Sequence, residues 1–245
     1  MSETLKWWSK SLITLSILSV AILFLGPIAY KSGILPLEPA LLSLIVSLGL
    51  SGVCLLISLI MVGVAMKSGL ARNRNIIGIA LIICLVPILL VGMQLRTASS
   101  VPQIHDISTD TINPPQFLKI VELRADAKNG LDYELDGSAE KLAETQKAAY
   151  PSVKTLNSKL SVADAVERSA VVLSELGLEI VHKDPMTGIV EATDTTFWFG
   201  FKDDLVVRIG PSNDGSIIDL RSVSRVGVSD VGVNAARILK FAEAF

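Results

Sequence analysis

Residues 40–66 read ALLSLIVSLGLSGVCLLISLIMVGVAM and contain no Asp, Glu, Lys, Arg or His. Two further runs without ionisable side chains occupy residues 11–30 and 76–95. Each run has about the 20 residues that a helix needs to cross roughly 30 Å of hydrocarbon. The runs are apolar on every side, whereas surface helices of soluble proteins keep one polar face. The sequence therefore predicts a three-span transmembrane anchor over residues 1–96.

Basic residues near the span ends predict the orientation of this anchor. The first run exceeds the apolar region of about 7–15 residues in a signal peptide, and two more spans follow it, so we interpret it as uncleaved. Cytoplasmic flanks carry the excess of Lys and Arg. A cytoplasmic amino terminus puts five basic residues inside and two outside. This predicts an inner-membrane protein with a periplasmic C-terminal domain. The residues are Lys6, Lys10, Lys67, Arg72 and Arg74 inside, and Lys31 and Arg96 outside.

The charge of the chain changes sign at about residue 100. The first hundred residues carry 7 Lys+Arg and 2 Asp+Glu (+5), and residues 101–245 carry 15 and 22 (−7), which gives the net charge of −2. An acidic soluble half argues against nucleic-acid binding, because phosphates require a basic surface. The apolar fraction of 50% excludes intrinsic disorder. Cys54 and Cys84 both fall within spans, so the soluble half offers no thiol nucleophile and no Cys-ligated zinc site.

Small residues form a stripe along the second span. Ser43, Ser47 and Ser51 recur every fourth residue, which allows neighbouring helices to approach closely. We expect this serine stripe to pack within the three-helix bundle; contact with a second copy or a partner membrane protein is the alternative. Ion and proton pathways need ionisable groups inside the spans. We therefore interpret the membrane half as an anchor in the lipid bilayer.

The first part of the soluble half combines an extended strap with two helices. Residues 97–117 contain the adjacent prolines Pro114 and Pro115, which exclude a helix and predict the strap. A helical stretch is predicted over residues 138–150. A second helix is predicted from Ser161, with Asp164 three residues on, and it ends before Gly177.

After Gly177 the apolar residues alternate, which indicates strands. The predicted strands are residues 178–182, 189–201, 205–209 and 216–226, with a turn at 202–204. A last helix is expected to be capped by Ser229 or Asp230. The prediction for residues 118–245 is an α+β domain in which a four-stranded antiparallel meander carries helices on one face.

Charged residues share one face of the third and fourth predicted strands. Period-two spacing puts Asp219, Arg221 and Arg225 on one side, and a hairpin would bring Arg208 near Asp219 or Arg221. Several arginines can bind the carboxylate or phosphate group of an anionic ligand. The alternative is structural: a salt-bridged sheet face, or arginines that tie the strap and last helix to the sheet.

The strap supplies a second set of polar candidates, His105, Asp106 and Asp110. Such residues can ligate a metal, but metal sites usually draw ligands from several elements. More often they form Asx-turns and cap backbone amides, so we predict no metal and no cofactor. Asp203 and Asp204 fall in a predicted turn, where solvation is expected.

No catalytic motif stands out: the chain has no GxSxG elbow, no HExxH and no Walker lysine loop. The leading hypothesis is a non-enzymatic envelope module that binds an anionic ligand or a partner protein. One alternative is a hydrolase or transferase that acts on a lipid or wall precursor at the membrane surface. It would require a cleft joining the strap carboxylates to the arginines. Another is a structural assembly factor.

Several motifs of the soluble half occur together in one known family. They are HDISTD at residues 105–110 with Pro114, Pro115 and Phe117; EAT at 191–193 with FKDD at 201–204; and RSVSRVG at 221–227, followed by Asp230, Gly232, Asn234, Ala235, Arg237 and Ile238. This pattern resembles the bacterial and plant family catalogued as domain of unknown function 1499, over residues 101–245. The resemblance implies no established activity, cofactor or catalytic residue.

Overall fold

A computed structural model describes residues 4–245. The chain forms two compact units, with the division between Thr97 and Ala98. The first unit is built from three helices, the last of which runs a few residues past Thr97: α1 Trp7–Lys31, α2 Leu37–Lys67 and α3 Ala71–Ser100. All three are long and apolar enough to cross a membrane. Each extends beyond its apolar run into polar flanking residues. These helices indicate a membrane-spanning protein.

The serine stripe of α2 packs inside the helical unit. Ser47 donates a hydrogen bond of 2.6 Å to the carbonyl of Ser19 in α1, and Ser51 donates one of 2.8 Å to the Ser19 hydroxyl. Ser47 and Ser51 are fully buried. The predicted packing role is therefore confirmed for these two serines, because both hydrogen-bond to a helix of the same chain.

Gly26 of α1 lies close against Ser43 of α2. A Cβ atom at this position would lie 1.9 Å from the Ser43 hydroxyl oxygen and 2.7 Å from its Cβ. We therefore expect Gly26→Val to force the two helices apart and to lower stability by roughly 1–3 kcal/mol, as overpacking does. Gly49→Val is the matched control, because nothing lies within 4 Å of its added Cβ. Heating the full-length variants in detergent and measuring the monodisperse fraction tests this; equal losses for both would contradict it.

The second unit is built on a six-stranded antiparallel sheet, two strands more than predicted. The strand order is β1-β6-β5-β4-β3, and β2 pairs with β6 beyond the end of β1. The two additional strands have only three residues each, too few for an alternating signal. The strands are β1 Asp106–Ser108, β2 Leu156–Ser158, β3 Glu179–Asp184, β4 Ile189–Thr195, β5 Lys202–Ser212 and β6 Gly215–Ser224.

The two faces of the sheet are covered differently. Helices α4 Ala139–Ala149, α5 Val162–Glu175 and α6 Val233–Ala244 bury the main apolar core against one face. The other face is covered by residues 109–131, which we call the strap layer. It includes a 3₁₀ helix, Ile120–Arg124. Phe117 and Ile120 of this layer pack on Val206 and Val223 of the sheet.

Two predictions are wrong around the middle of the sheet. The strand predicted over residues 189–201 ends at Thr195, and 196–201 form an aromatic loop. Asp203 and Asp204 are not in a turn; they lie in β5 and are buried. The helix prediction is better, since Ser161 caps α5 and Gly177 follows it with a φ of +88°, which favours glycine.

Candidate functional site

The charged positions of the sheet lie under the strap layer. In the β5–β6 hairpin Arg208 stands opposite Asp219, as the hairpin prediction requires. β1 brings Asp106 alongside β6 on the same face. The strap carboxylates of Asp106 and Asp110 are thus brought to the arginines. The four predicted ligand-binding residues, Arg208, Asp219, Arg221 and Arg225, all find partners within the domain. The charged residues of this face that lie under the strap layer or contact it include Asp106, Glu191, Asp204, Arg208, Asp219, Arg221 and Arg225.

Arg221 is fully buried, as are Glu191 and Asp204 on the same face. Its Nε and Nη2 donate to the two carboxylate oxygens of Asp106 at 3.0 and 2.6 Å. Its remaining hydrogen bonds go to the carbonyls of Pro115 and Leu131 at 3.3 and 2.6 Å. Two aromatic rings, of Phe117 and Tyr133, lie 5.6 Å from the guanidinium carbon. Arg221 therefore clamps the strap layer onto the sheet.

Burial shapes the ionisation of the groups around Arg221. It raises the pKa of Asp106, and the hydrogen bond and charge of Arg221 oppose that rise. It also raises the pKa of Tyr133, with the nearby Asp106 carboxylate acting in the same direction. The Asp106–Arg221 pair is costly to break, because it lies in a region of low dielectric and either group alone would be a buried, uncompensated charge.

The carboxylate of Asp204 is also buried, and it lies between two arginines. One oxygen accepts from Arg124 at 2.5 Å and from Arg225 Nε at 2.8 Å. The other accepts from Arg225 Nη2 at 2.8 Å and from the Thr193 hydroxyl at 2.7 Å. Arg225 also donates to the carbonyl of Leu123 at 2.7 Å. Asp204 thus fixes the 3₁₀ helix to the sheet.

Glu191 holds the beginning of the same 3₁₀ helix. Its carboxylate is fully buried and accepts from the amides of Leu118, Lys119 and Ile120 at 2.5, 2.8 and 3.2 Å. Backbone amides at a helix start have no partner within the helix, and a carboxylate satisfies them. Glu191 is therefore a structural cap beneath the strap layer.

Arg208 is the one sheet-face arginine whose side chain is substantially exposed, at 35%. Its Nη2 lies 2.9 Å from both Asp110 and Asp219, and its Nη1 donates to the carbonyl of Asn113. Partial burial acts to raise the pKa of Asp110, but the amides of Asn113 and Ile112 and the Arg208 guanidinium lower it overall. Two carboxylates surround this arginine, so an anion entering here would meet negative charge.

His105 of the strap binds neighbouring segments through its backbone carbonyl. The carbonyl of His105 accepts from the Ser224 amide and from the Asn234 side chain, both at 3.0 Å, while its imidazole is half-buried. Among residues 4–245, no group of three His, Cys, Asp or Glu is arranged to hold a metal ion. The two surface depressions described, of about 520 and 450 Å³, are lined by residues outside the predicted set.

A family model described as Protein of unknown function (DUF1499) matches residues 106–245, more than half of the chain. The chain belongs to this family. The resemblance stated from the motifs is thereby confirmed, with the match beginning at the first residue of β1. No curated protein and no solved structure matches the chain significantly.

The DUF1499 domain contains a further polar cluster, on the helix-covered face. Arg237 of α6 pairs with Asp194 at 2.6 Å and Asp203 at 2.8 Å. It also donates to the Ser222 hydroxyl and to Asn234, which in turn donates to the Ser224 hydroxyl. This cluster ties α6 to the ends of β4, β5 and β6.

Sequence reasoning missed five of the paired residues of the DUF1499 domain. Glu191, Asp204, Asn234 and Arg237 belong to the motifs that carry the family resemblance, whereas Arg124 does not. Their spacing in the sequence alone did not indicate a role for them. The ligand-binding role of Arg208, Asp219, Arg221 and Arg225 stays a prediction. The missed residues are Arg124, Glu191, Asp204, Asn234 and Arg237.

Proposed function

We propose that this protein is a non-enzymatic, membrane-anchored interaction module of the cell envelope, whose domain lies on the periplasmic side and binds a partner protein. The orientation is supported by the five-to-two distribution of basic residues around the spans. The observation that carries the binding role is a set of three exposed apolar side chains on the strap layer, those of Leu118, Val121 and Leu123, which we call the ridge.

The ridge is exposed although its backbone is firmly held. Its three side chains are 50, 51 and 50% exposed, within six residues of one another. Below them Glu191 binds the amide of Leu118, and Arg225 binds the carbonyl of Leu123. A fixed apolar surface loses little conformational entropy on binding, which favours association.

The charge of the domain indicates the chemistry of the partner. Residues 101–245 have a formal charge of −7. Beside the ridge the exposed charges are of both signs, Lys119, Glu122, Asp126 and Lys128, so it is the charge of the whole domain that favours a basic partner. The partner surface is apolar with a basic rim, because opposite charges draw two proteins together during encounter and a partner of like charge is repelled. An anionic ligand fits less well, since each predicted arginine already has an internal carboxylate.

Site-specific photocrosslinking in native membranes tests this function. A photoreactive residue replaces Val121 in the full-length protein, and the matched control replaces Val171 on α5, which is 47% exposed. We expect one discrete adduct at 121 that is absent at 171, with an apolar, Lys- or Arg-containing partner peptide. Adding Leu118→Gln and Leu123→Gln is expected to abolish it. An equal yield at both positions, or no adduct at 121, would refute the proposal.

A further inference from the structure

Three segments meet at one end of the sheet: residues 101–105, which follow α3; the β4–β5 loop, 196–201; and the β6–α6 loop, 225–232. The Asp230 amide donates to the carbonyl of Ile104 at 3.0 Å, and the Ser229 hydroxyl donates to that of Pro102 at 3.4 Å. The Arg225 amide donates to the carbonyl of Lys202, the first residue of β5, at 2.9 Å. We call this the entry end, because the chain enters the domain here from the third helix.

The entry end exposes large apolar side chains at its loop tips. Phe197 is 93% exposed and Val228 is 74% exposed. Behind Phe197, the rings of Phe199 and Phe201 stack at 4.9 Å between centroids, which gives the loop a firm base. Lys202 is exposed beside the loop. Apolar and aromatic tips combined with basic residues are typical of protein surfaces that lie in a membrane interface.

Chain connectivity limits how far the entry end can lie from the bilayer. The apolar run of α3 ends at Leu95 and the helix continues to Ser100, a rise of about 8 Å at 1.5 Å per residue. Two more residues reach Pro102, at most about 7 Å in extended form. Pro102 therefore lies no more than about 15 Å along the chain from the hydrocarbon edge, beyond which the headgroup layer is roughly 5–8 Å thick.

We propose that the entry end is a lipid-contacting surface, at which Phe197 and Val228 insert into the headgroup layer of the membrane that the protein spans. The ligand is phospholipid, and Lys202 is suited to an anionic headgroup. The contact is separate from the proposed partner surface, since neither tip belongs to the strap layer.

Depth-dependent fluorescence quenching tests the contact. Full-length protein with Cys54→Ala and Cys84→Ala carries an environment-sensitive dye at Phe197→Cys or Val228→Cys, in nanodiscs of phosphatidylcholine and phosphatidylglycerol. Met186→Cys is the matched control: it is 93% exposed and lies on the β3–β4 turn, at the opposite end of β4. Lipids spin-labelled near the headgroup are expected to quench the dye at 197 and 228, and to leave the dye at 186 unchanged.

Equal quenching at 186 and at both tips, or none at the tips, would overturn the proposal. A second measurement keeps both native cysteines, so that it does not depend on the folding of the cysteine-free protein. It compares hydrogen exchange of residues 196–201 in wild type and in the double variant Phe197→Ser/Val228→Ser. In nanodiscs this exchange is expected to be faster in the double variant than in wild type. In detergent micelles without phospholipid the difference is expected to shrink. The same difference in both media would assign the tips to local packing and not to lipid.

Discussion

Replacing Arg221 with glutamine is expected to destabilise the DUF1499 domain strongly. The variant leaves Asp106 buried without its guanidinium and removes hydrogen bonds to the strap layer. Breaking a buried pair by removing one partner costs about 3–5 kcal/mol. That is a large part of the roughly 5–15 kcal/mol that stabilises a typical domain.

Hydrogen exchange of β6 in the full-length protein measures this effect. A loss of about 3–5 kcal/mol raises exchange of the most protected amides by roughly two to four orders of magnitude. Lys183→Gln is the control, since Lys183 and its partner Glu167 are both exposed and the loss of this surface pair is expected to cost below about 1 kcal/mol. The double variant Asp106→Leu/Arg221→Met is expected to regain much of the stability, because two apolar residues leave no unpaired charge. Unchanged protection in Arg221→Gln would contradict the clamp.

Asp204→Asn is expected to have the second largest effect, concentrated in the strap layer. The neutral amide leaves Arg124 and Arg225 directed at one site without a compensating charge. Their mutual repulsion and the lost charge-assisted hydrogen bonds together cost about 3 kcal/mol or more. The 3₁₀ helix is expected to detach before the sheet unfolds.

Exchange of the amides in residues 118–129 distinguishes this local opening from global unfolding. Asp214→Asn, an exposed carboxylate on the β5–β6 turn, is the matched control and is expected to change stability by less than about 0.5 kcal/mol. If Asp204→Asn opened the strap layer no more than Asp214→Asn does, the Asp204 carboxylate would have no role in holding it.

Features set by local pattern were predictable from the sequence. Hydrophobicity alone identifies the three apolar helices, because the bilayer requires about 20 apolar residues in a row. The N-cap Ser161 and the terminating Gly177 define α5, since caps act within a few residues. The antiparallel sheet with helices on one face also followed from spacing.

Features set by distant partners were not predictable. Asp203 and Asp204 resemble a solvated turn until Arg237 and Arg225 are placed beside them, 34 and 21 positions away. β1 lacks an alternating signal because it is three residues long and is defined by β6, across the whole domain. Spacing offered two readings of the arginines, a ligand fork or internal ties. Choosing between them requires knowing where the strap lies, which is a long-range property.

The pairing of β1 with β6 has a consequence for the order in which the protein is made. Asp106 and Arg221 are 115 positions apart. At about 5–20 residues per second, synthesis reaches Arg221 roughly 6–23 s after Asp106. Throughout this interval the first strand of the sheet has neither its neighbour nor its counter-charge. A nascent chain that stalls before β6 keeps an open edge and an unpaired carboxylate, and it remains a substrate for the proteases that clear unfolded segments.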